Sequence, residues 1–264
     1  MVARVPVALA DHRSAAAAVA LGTFDGVHLG HQALLRAAAE WAKSQGWTSL
    51  AFAFAKPPGN YLGTPKPMLL PPPLKFALLE RFVDTAVHAE FPELAAMAPE
   101  AFAERVLVRK LGARGVVVGA DYGFGKDRRG DVALLQRLGG ELGFAVRVVP
   151  PVTAEGEPVS STHIRRAIRQ GQVADAARWL GRPPLVRGRV VPGEGRGRGL
   201  GFPTANLDTD AAYVLPEQGI FAAVACLDGR PHPAAAYFGT KPTFDGGQAV
   251  VEVHLIEGAF PALY

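Results

Sequence analysis

Short, uniformly apolar runs alternate with longer amphipathic stretches through the first two thirds of the chain, and this alternation predicts its architecture. Ala15 to Leu21 is apolar throughout and predicts a buried strand. Thr48 to Ala55, Ala86 to Glu90, Gly115 to Gly119 and Phe144 to Val149 predict four more. Helical spacing marks His31 to Gln45, where Leu34, Leu35, Ala38, Trp41 and Ala42 share a face and Gly46 is a natural stop. It also marks Pro99 to Leu111, Gly130 to Leu142 and Ser161 to Gln170. Strand-then-helix alternation implies parallel strands joined by crossover helices, an α/β doubly wound sheet that binds ligands beyond the carboxyl ends of its strands. After Gly181-Arg182-Pro183-Pro184 the pattern changes. Val186 to Val191, Gly219 to Leu227, Ala234 to Phe238 and Val250 to Ile256 are strand-like runs separated by Gly, Pro and Asp, with no helical period. That spacing predicts a small antiparallel barrel or sandwich, with domains at 1–182 and 183–264. Pro57 to Pro73, rich in proline and glycine, reads as an active-site loop or a plain surface loop.

Composition narrows the partners. With 49% apolar and 20% charged residues in 264, the chain is of the ordinary globular class. A net charge of +4, without a basic stripe interleaved with aromatics, suits anionic small molecules and argues against a nucleic-acid reader. Cys226 is the only cysteine, which excludes an internal disulfide. Its place in the apolar run Phe221 to Leu227 predicts a buried, inert thiol. Asp11, His12 and Arg13 interrupt the N-terminal apolar stretch, so no signal peptide is read there. No uncharged stretch is long enough to span a bilayer, so a cytoplasmic chain with no membrane partner is expected.

The densest chemical signal is Gly22-Thr23-Phe24-Asp25-Gly26-Val27-His28-Leu29-Gly30-His31. It occupies a strand-to-helix turn, where free N–H groups and the helix dipole favour negative charge. Gly22, Gly26 and Gly30 permit close approach of backbone to a phosphate. His28 and His31 add side-chain donors expected to titrate near neutral pH; the plain alternative is that they cap the helix. A second element, Val159-Ser160-Ser161-Thr162-His163-Ile164-Arg165-Arg166, puts hydroxyls before a helix and a guanidinium one turn in, suited to a phosphate or to simple capping. A third, Gly119-Ala120-Asp121-Tyr122-Gly123-Phe124-Gly125-Lys126-Asp127-Arg128-Arg129-Gly130, follows a predicted strand.

Together these three elements resemble the bacterial bifunctional riboflavin kinase/FAD synthetase family, whose adenylyltransferase module carries G-x-F-D-G-x-H-x-G-H, V-V-G-x-D-[FY]-x-F-G-x-x-R-x-G and S-S-T-x-I-R in this order. The resemblance implies a Rossmann-like nucleotidyltransferase domain that adenylylates FMN with ATP, giving FAD and pyrophosphate. It implies that Gly22, Phe24, Gly30, His28 and His31 hold ATP phosphates, the two histidines stabilising charge at the α-phosphorus. Ser160, Ser161, Thr162 and Arg165 would grip the β- and γ-phosphates, and Asp121 and Tyr122 would border the flavin or adenine. Asp25 either holds the turn or assists Mg²⁺ and ribose contacts.

The second domain extends the resemblance. Gly195-Arg196-Gly197-Arg198-Gly199-Leu200-Gly201-Phe202-Pro203-Thr204-Ala205-Asn206 is a basic glycine-rich loop ending in P-T-A-N, similar to the riboflavin kinase hallmark. The family's Mg²⁺ ligands map to Thr204 and Asn206, and Gly199 and Lys241 are expected at ATP. Val251-Glu252-Val253-His254-Leu255 resembles V-E-x-H-L, with Glu252 as catalytic base for the 5′-hydroxyl of riboflavin. The expected substrates are therefore riboflavin, FMN and ATP, with Mg²⁺ as cofactor, in a monomer or weak homo-oligomer. Three departures stand out. Pro57 replaces the histidine of T-F-x-P-H-P, with Lys56 as a candidate substitute cation. Tyr237 replaces an asparagine. The sequence stops at Tyr264, short of the glycine, flavin-side loop and C-terminal helix of relatives, so the kinase barrel is expected to lack its C-terminal part. They leave two other readings open: an adenylyltransferase alone, or a non-catalytic flavin- or nucleotide-binding protein. Another H-x-G-H transferase, acting on pantetheine phosphate, nicotinamide mononucleotide or a sugar phosphate, does not explain P-T-A-N and V-E-x-H-L.

Overall fold

The structure is a computed structural model describing residues 6–193, 201–210, 212–241, 248–258 and 260, with the side chains of 241, 248 and 249 excepted. Its first half is built on six strands: β1 (Val7–Ala8), β2 (Ala17–Leu21), β3 (Thr48–Phe54), β4 (Thr85–Ala89), β5 (Ala113–Gly119) and β6 (Ala145–Val149). They lie in the order β1-β4-β3-β2-β5-β6, and every pairing is parallel. Helix α1 (Leu29–Gln45) follows β2, α2 (Pro72–Leu79) follows β3, a π-wound helix (Phe102–Lys110) precedes β5, and α3 (Val132–Leu142) connects β5 to β6. Strand β2 is buried at every position, as a parallel strand covered on both faces must be. One apolar cluster gathers Val19, Leu21, Val116 and Val118 with Phe102 and Leu135; the other gathers Ala20, Ala51 and Val117 with Leu35 and Phe76. The chain leaves β2 toward β3 on one side and later crosses to β5 on the other. The exit of β2 is thus the switch point where such sheets bind ligands.

Two helices, α4 (Ser161–Arg169) and α5 (Val173–Leu180), follow a small ribbon formed by β7 (Thr153–Ala154) and β8 (Glu157–Pro158). The second half is a five-stranded antiparallel sheet of β9 (Arg189–Val191), β10 (Ala205–Asp208), β11 (Gly219–Leu227), β12 (Arg230–Lys241) and β13 (Gln248–Leu255), in the order β11-β12-β13-β10-β9. Strand β12 runs well beyond the expected Ala234–Phe238, because Pro231 and Pro233 lie inside its ladder with β11. Cys226 corrects the expectation of a buried thiol. It is exposed, since the two-residue period of β11 puts it on the outward face with Ile220 and Val224. The halves are stitched together at Met68, whose N–H donates to the Ala212 carbonyl while its carbonyl accepts from the Val214 N–H. Val214 is buried among Leu69, Val159 and Ile164.

Several elements are absent from the sequence reading: β1, α2, α5 and the β7–β8 ribbon. Pro71 caps α2 and Pro72 begins it, a position where proline costs a helix nothing, so the proline-rich stretch turns helical before its end. The helix predicted from His31 starts at Leu29, and that predicted from Gly130 starts at Val132 with Asp131 as its cap.

The turn into β5 sets a stringent local condition. Gly112 has φ +61°, and a Cβ there would lie 2.2 Å from the Ser14 carbonyl oxygen. Its own carbonyl accepts the N–H of Ala17 at the start of β2. Gly112→Ala is expected to destabilise the first half by about 2 kcal/mol or more, read as a lower urea midpoint by circular dichroism.

Candidate active site

Between β2 and α1 the backbone is forced into an unusual path. Phe24 (φ 50°), Gly26 (φ 84°) and Val27 (φ 45°) all have positive φ, which a β-branched valine adopts only when its surroundings impose it. The imposing contacts are hydrogen bonds to successive carbonyls. Thr23 O accepts from Lys75 Nζ (3.4 Å), Phe24 O from the Val27 N–H (3.1 Å) and Asp25 O from Ser161 Oγ (2.9 Å). Gly26 O accepts from Arg182 Nη2 (2.8 Å), and Val27 O from Gln32 Nε2 (3.0 Å). With its oxygens turned into protein donors, the turn is left with N–H groups, and those of the first turn of α1 have no intrahelical acceptor. This is the chemistry of an anion cradle. Glycine keeps two approaches close: a Cβ on Gly22 would meet the Phe24 ring at 3.1 Å, and one on Gly30 would meet His28 Cε1 at 3.2 Å, so either ring would have to give by a few tenths of an ångström.

His28 is the N-cap of α1, and its Nδ1 accepts the His31 N–H (3.3 Å). The neutral ring therefore carries its proton on Nε2, which remains a donor. The capping alternative is thus realised without consuming the side chain. The two imidazoles stack with centroids 3.6 Å apart, Phe24 presents its ring to His31 at 5.3 Å, and His31 Nδ1 is buried without a protein partner. Burial, and then the Arg165 charge, push His28 down to about 4. Burial, His28 and Lys75 push His31 well below its ordinary value. Both rings are therefore neutral at pH 7, which corrects the expectation that they titrate near neutrality. In that state they can offer N–H groups but not a positive charge.

Across the turn, Asp25 Oδ1 accepts the Leu69 N–H (2.9 Å) and Oδ2 pairs with Arg165 Nη2. Both carboxylate oxygens are engaged inside the protein, the geometry of a residue that holds the turn. Arg165 also donates from Nε to Pro67 O (2.7 Å). Ser160 caps α4 by accepting the His163 N–H, Ser161 is bonded to the turn, and Thr162 faces solvent. A cleft of about 260 Å³ opens here, lined by Thr23, Asp25, Pro57, Gly59, Asn60, Thr64, Lys66, Ser161 and Arg165. Lys56 is exposed and is not among its lining residues. Asp121 and Tyr122 line another cavity of about 330 Å³ at the exit of β5, together with Gly123 and Arg128. The two linings share no residue. Tyr122 is stacked on Phe124 (5.9 Å), and burial raises its phenol far above the usual value.

In the second half, Asn206 lies on β10 and Thr204 immediately precedes that strand. Asn206 lies opposite Glu252 in the β10–β13 register, and Thr204 Oγ1 donates to Glu252 Oε2 (3.2 Å). Tyr237 is the neighbour of Glu252 on the other side. A hydroxyl, an amide oxygen and a carboxylate thus share one patch, a hard-oxygen set that fits Mg²⁺. No cluster of three or more His, Cys, Asp or Glu able to hold a metal occurs among the described residues. His254 faces Pro203 O through Nδ1 (2.8 Å). Gly199 and the side chain of Lys241 lie outside the described residues.

Three residues of the first site escape the sequence reading: Gln32, Arg182 and Lys75. Lys75 is 2% exposed, and Nζ donates to Phe54 O (2.5 Å), Ala55 O (3.0 Å) and Thr23 O (3.4 Å). The available signal was a single lysine within the apolar run Leu74–Leu79. The depressed His28 pKa also carries a stability consequence. The unfolded chain binds more protons between about 4 and 6.5, so this contribution is full above 6.5 and is lost as pH falls toward 4. Acidification from pH 7 to 5 is expected to lower stability by on the order of 2 kcal/mol. His28→Asn, which keeps a capping oxygen, should weaken that dependence, as measured by urea midpoints across the range.

Comparison with known proteins follows the same division. A family model described as FAD synthetase matches residues 10–163, and one described as riboflavin kinase matches residues 180–261. The bifunctional riboflavin kinase/FMN adenylyltransferase of Listeria monocytogenes is 34% identical over 245 residues, 90% of this chain and 77% of the relative. That of Escherichia coli (strain K12) is 36% identical over 245 residues, 90% of this chain and 78% of the relative. A crystal structure named for a macrolide-efflux protein from Streptococcus pneumoniae superposes with a TM-score of 0.87 at 30% identity, covering 100% of this chain and 87% of that one. Among the described residues no helix is long and apolar enough to cross a membrane. With both family models matched in the order of the two sheets, the chain belongs to the bifunctional riboflavin kinase/FMN adenylyltransferase family.

Proposed function

We propose that this chain makes FMN from riboflavin and ATP, and FAD from FMN and a second ATP. The observation that carries the adenylyltransferase half is the carbonyl-tied turn bearing two stacked neutral imidazoles at the exit of β2. An oxygen of the FMN phosphate attacks the α-phosphorus of ATP in line. The new P–O bond forms as the bond to the β-phosphate oxygen breaks, and pyrophosphate leaves. Such a transfer needs placement and charge neutralisation rather than a protein nucleophile. His28 Nε2–H, the ring of His31 and the backbone N–H groups of Phe24 and Gly30 hold the phosphates, while Gly22, whose N–H is spent on the Phe52 carbonyl, leaves room for their close approach. Ser161 and Arg165 line the cleft toward the β- and γ-phosphates, Ser160 and Thr162 flank them at the start of α4, and Asp25 fixes Arg165. Lys66, a cation lining the cleft beside Pro57, takes the place proposed for Lys56. Asp121 and Tyr122 border the flavin or adenine at the exit of β5.

In the second domain, which this reading places after Arg182 and regards as a curved barrel, Glu252 accepts the 5′-hydroxyl proton of riboflavin as that oxygen attacks the γ-phosphorus and ADP departs. Thr204 and Asn206 would hold Mg²⁺, which supplies charge neutralisation at the phosphates when bound. The matched riboflavin kinase model and the Thr204–Glu252 bond support this assignment. Gly199 and Lys241 belong to the same ATP site in this reading. The antiparallel sheet and the absence of a spanning helix among the described residues are in keeping with a cytoplasmic enzyme of small substrates.

Incubation with riboflavin, ATP and Mg²⁺, followed by chromatographic separation of FMN and FAD, tests the pair of activities. Absence of FAD when FMN is supplied would overturn the adenylyltransferase reading, and absence of FMN the kinase reading. Reciprocal variants sharpen the assignment. His31→Ala should reduce FAD formation from FMN by roughly 100-fold or more while riboflavin phosphorylation persists. Glu252→Gln should reduce phosphorylation by about 100-fold or more and leave adenylylation of supplied FMN intact.

A further inference from the structure

The parallel ladder between β2 and β3 ends at Leu21 and Phe52, with one further bond of 3.4 Å from the Gly22 N–H to the Phe52 carbonyl. Beyond it the two chains separate, one into the histidine turn and the other into the segment that lines the cleft at Pro57. A single side chain rejoins them. Lys75 projects from α2 into the fork and bonds Thr23 O on one branch and Phe54 O and Ala55 O on the other. All three ammonium hydrogens thus have acceptors, which is the condition for keeping a charge with 2% exposure inside the fold. Among the described residues its hydrogen bonds all go to carbonyl oxygens and none to a carboxylate, whereas Arg165 is paired with Asp25.

We propose that Lys75 is a positioning residue for adenylyl transfer: its buried ammonium clamps the diverging ends of β2 and β3 beneath the histidine pair and sets the spacing between the phosphate turn and the opposite wall of the cleft. This inference deepens the adenylyltransferase reading and rests on it. The clamp also acts through space. The groups facing His31 are His28 from the same turn and Lys75 from α2, with Asp25, Arg165 and Glu90 farther out; the ammonium disfavours a second positive charge on the ring. Burial lowers Lys75 itself to about 8, so it remains mostly charged at pH 7.

Lys75→Met removes the clamp and the charge. FAD formation from supplied FMN should fall tenfold or more while riboflavin phosphorylation in the same sample stays within twofold, and the His31 ring should titrate at a higher pH than in the parent, as followed by imidazole NMR without substrate. Should the methionine variant fail to melt cooperatively, Lys75→Gln, which keeps two donors but no charge, carries the test. It should show the same upward displacement of the His31 titration with a loss of rate smaller than the methionine variant's but greater than threefold. FAD formation within threefold of the parent in a folded variant would overturn the inference. So would a loss of FAD formation with the His31 titration unmoved, which marks a role in folding alone. Failure of the parent protein to adenylylate FMN would instead overturn the functional reading, leaving the NMR arm to judge the clamp.

Discussion

The first active site depends on where five successive carbonyls point. From Thr23 to Val27 each oxygen is taken by a donor, four of them side chains drawn from α1, α2, α4 and the segment after α5. A peptide plane whose oxygen is fixed has its N–H fixed as well. Anchoring the oxygens therefore orients the donors, and it does so before any nucleotide arrives. The positive φ of Val27 is the local strain that this arrangement imposes, sustained because the anchors come from four separate parts of the chain.

Electrostatics around the turn follow from the same economy of space. Two stacked imidazoles, one buried and one partly so, share a wall with a buried ammonium and a guanidinium; burial first, and then the crowding of positive groups, keeps both rings uncharged. Arg165 is compensated by Asp25, so the cleft offers directed N–H groups with a moderate excess of positive charge rather than a dense cationic patch. Such a site can bind a polyphosphate and still release pyrophosphate.

Much of this was legible in the chain because period and position agree. A fully apolar β2 followed by glycine and a helix could only be a parallel strand feeding a turn, and the spacing of Leu34, Leu35 and Ala38 fixed the buried face of α1. Less was legible where one residue type serves two ends. Proline at the start of α2 looks the same as proline in a loop, and Lys75 carries no mark that distinguishes a buried ammonium from a solvated one. The neutrality of His28 and His31 was hidden because it arises first from burial in the folded turn and then from neighbouring charges, among them Arg165 and Lys75 from far along the chain. Cys226 faced outward against expectation because its apolar run is an alternating strand with one open face. Glu252 and Asn206 came together through the β10–β13 register, which the period of either strand alone does not encode.

The stitch at Met68 ties these observations to the chain as a whole. Pro67 anchors Arg165, Leu69 anchors Asp25, and the residue between them is zipped to Ala212 and Val214. The anchor of the cleft beside the histidine turn is therefore a three-stretch weave, one stretch of which is encoded downstream of Arg182. Removal of the polypeptide beyond that arginine would unravel the weave, leaving Leu69, Val159 and Ile164 without the valine that seals them and slackening the grip on the Asp25–Arg165 pair. In this architecture the two catalysts are not beads on a string: the downstream one serves as a buttress for its neighbour.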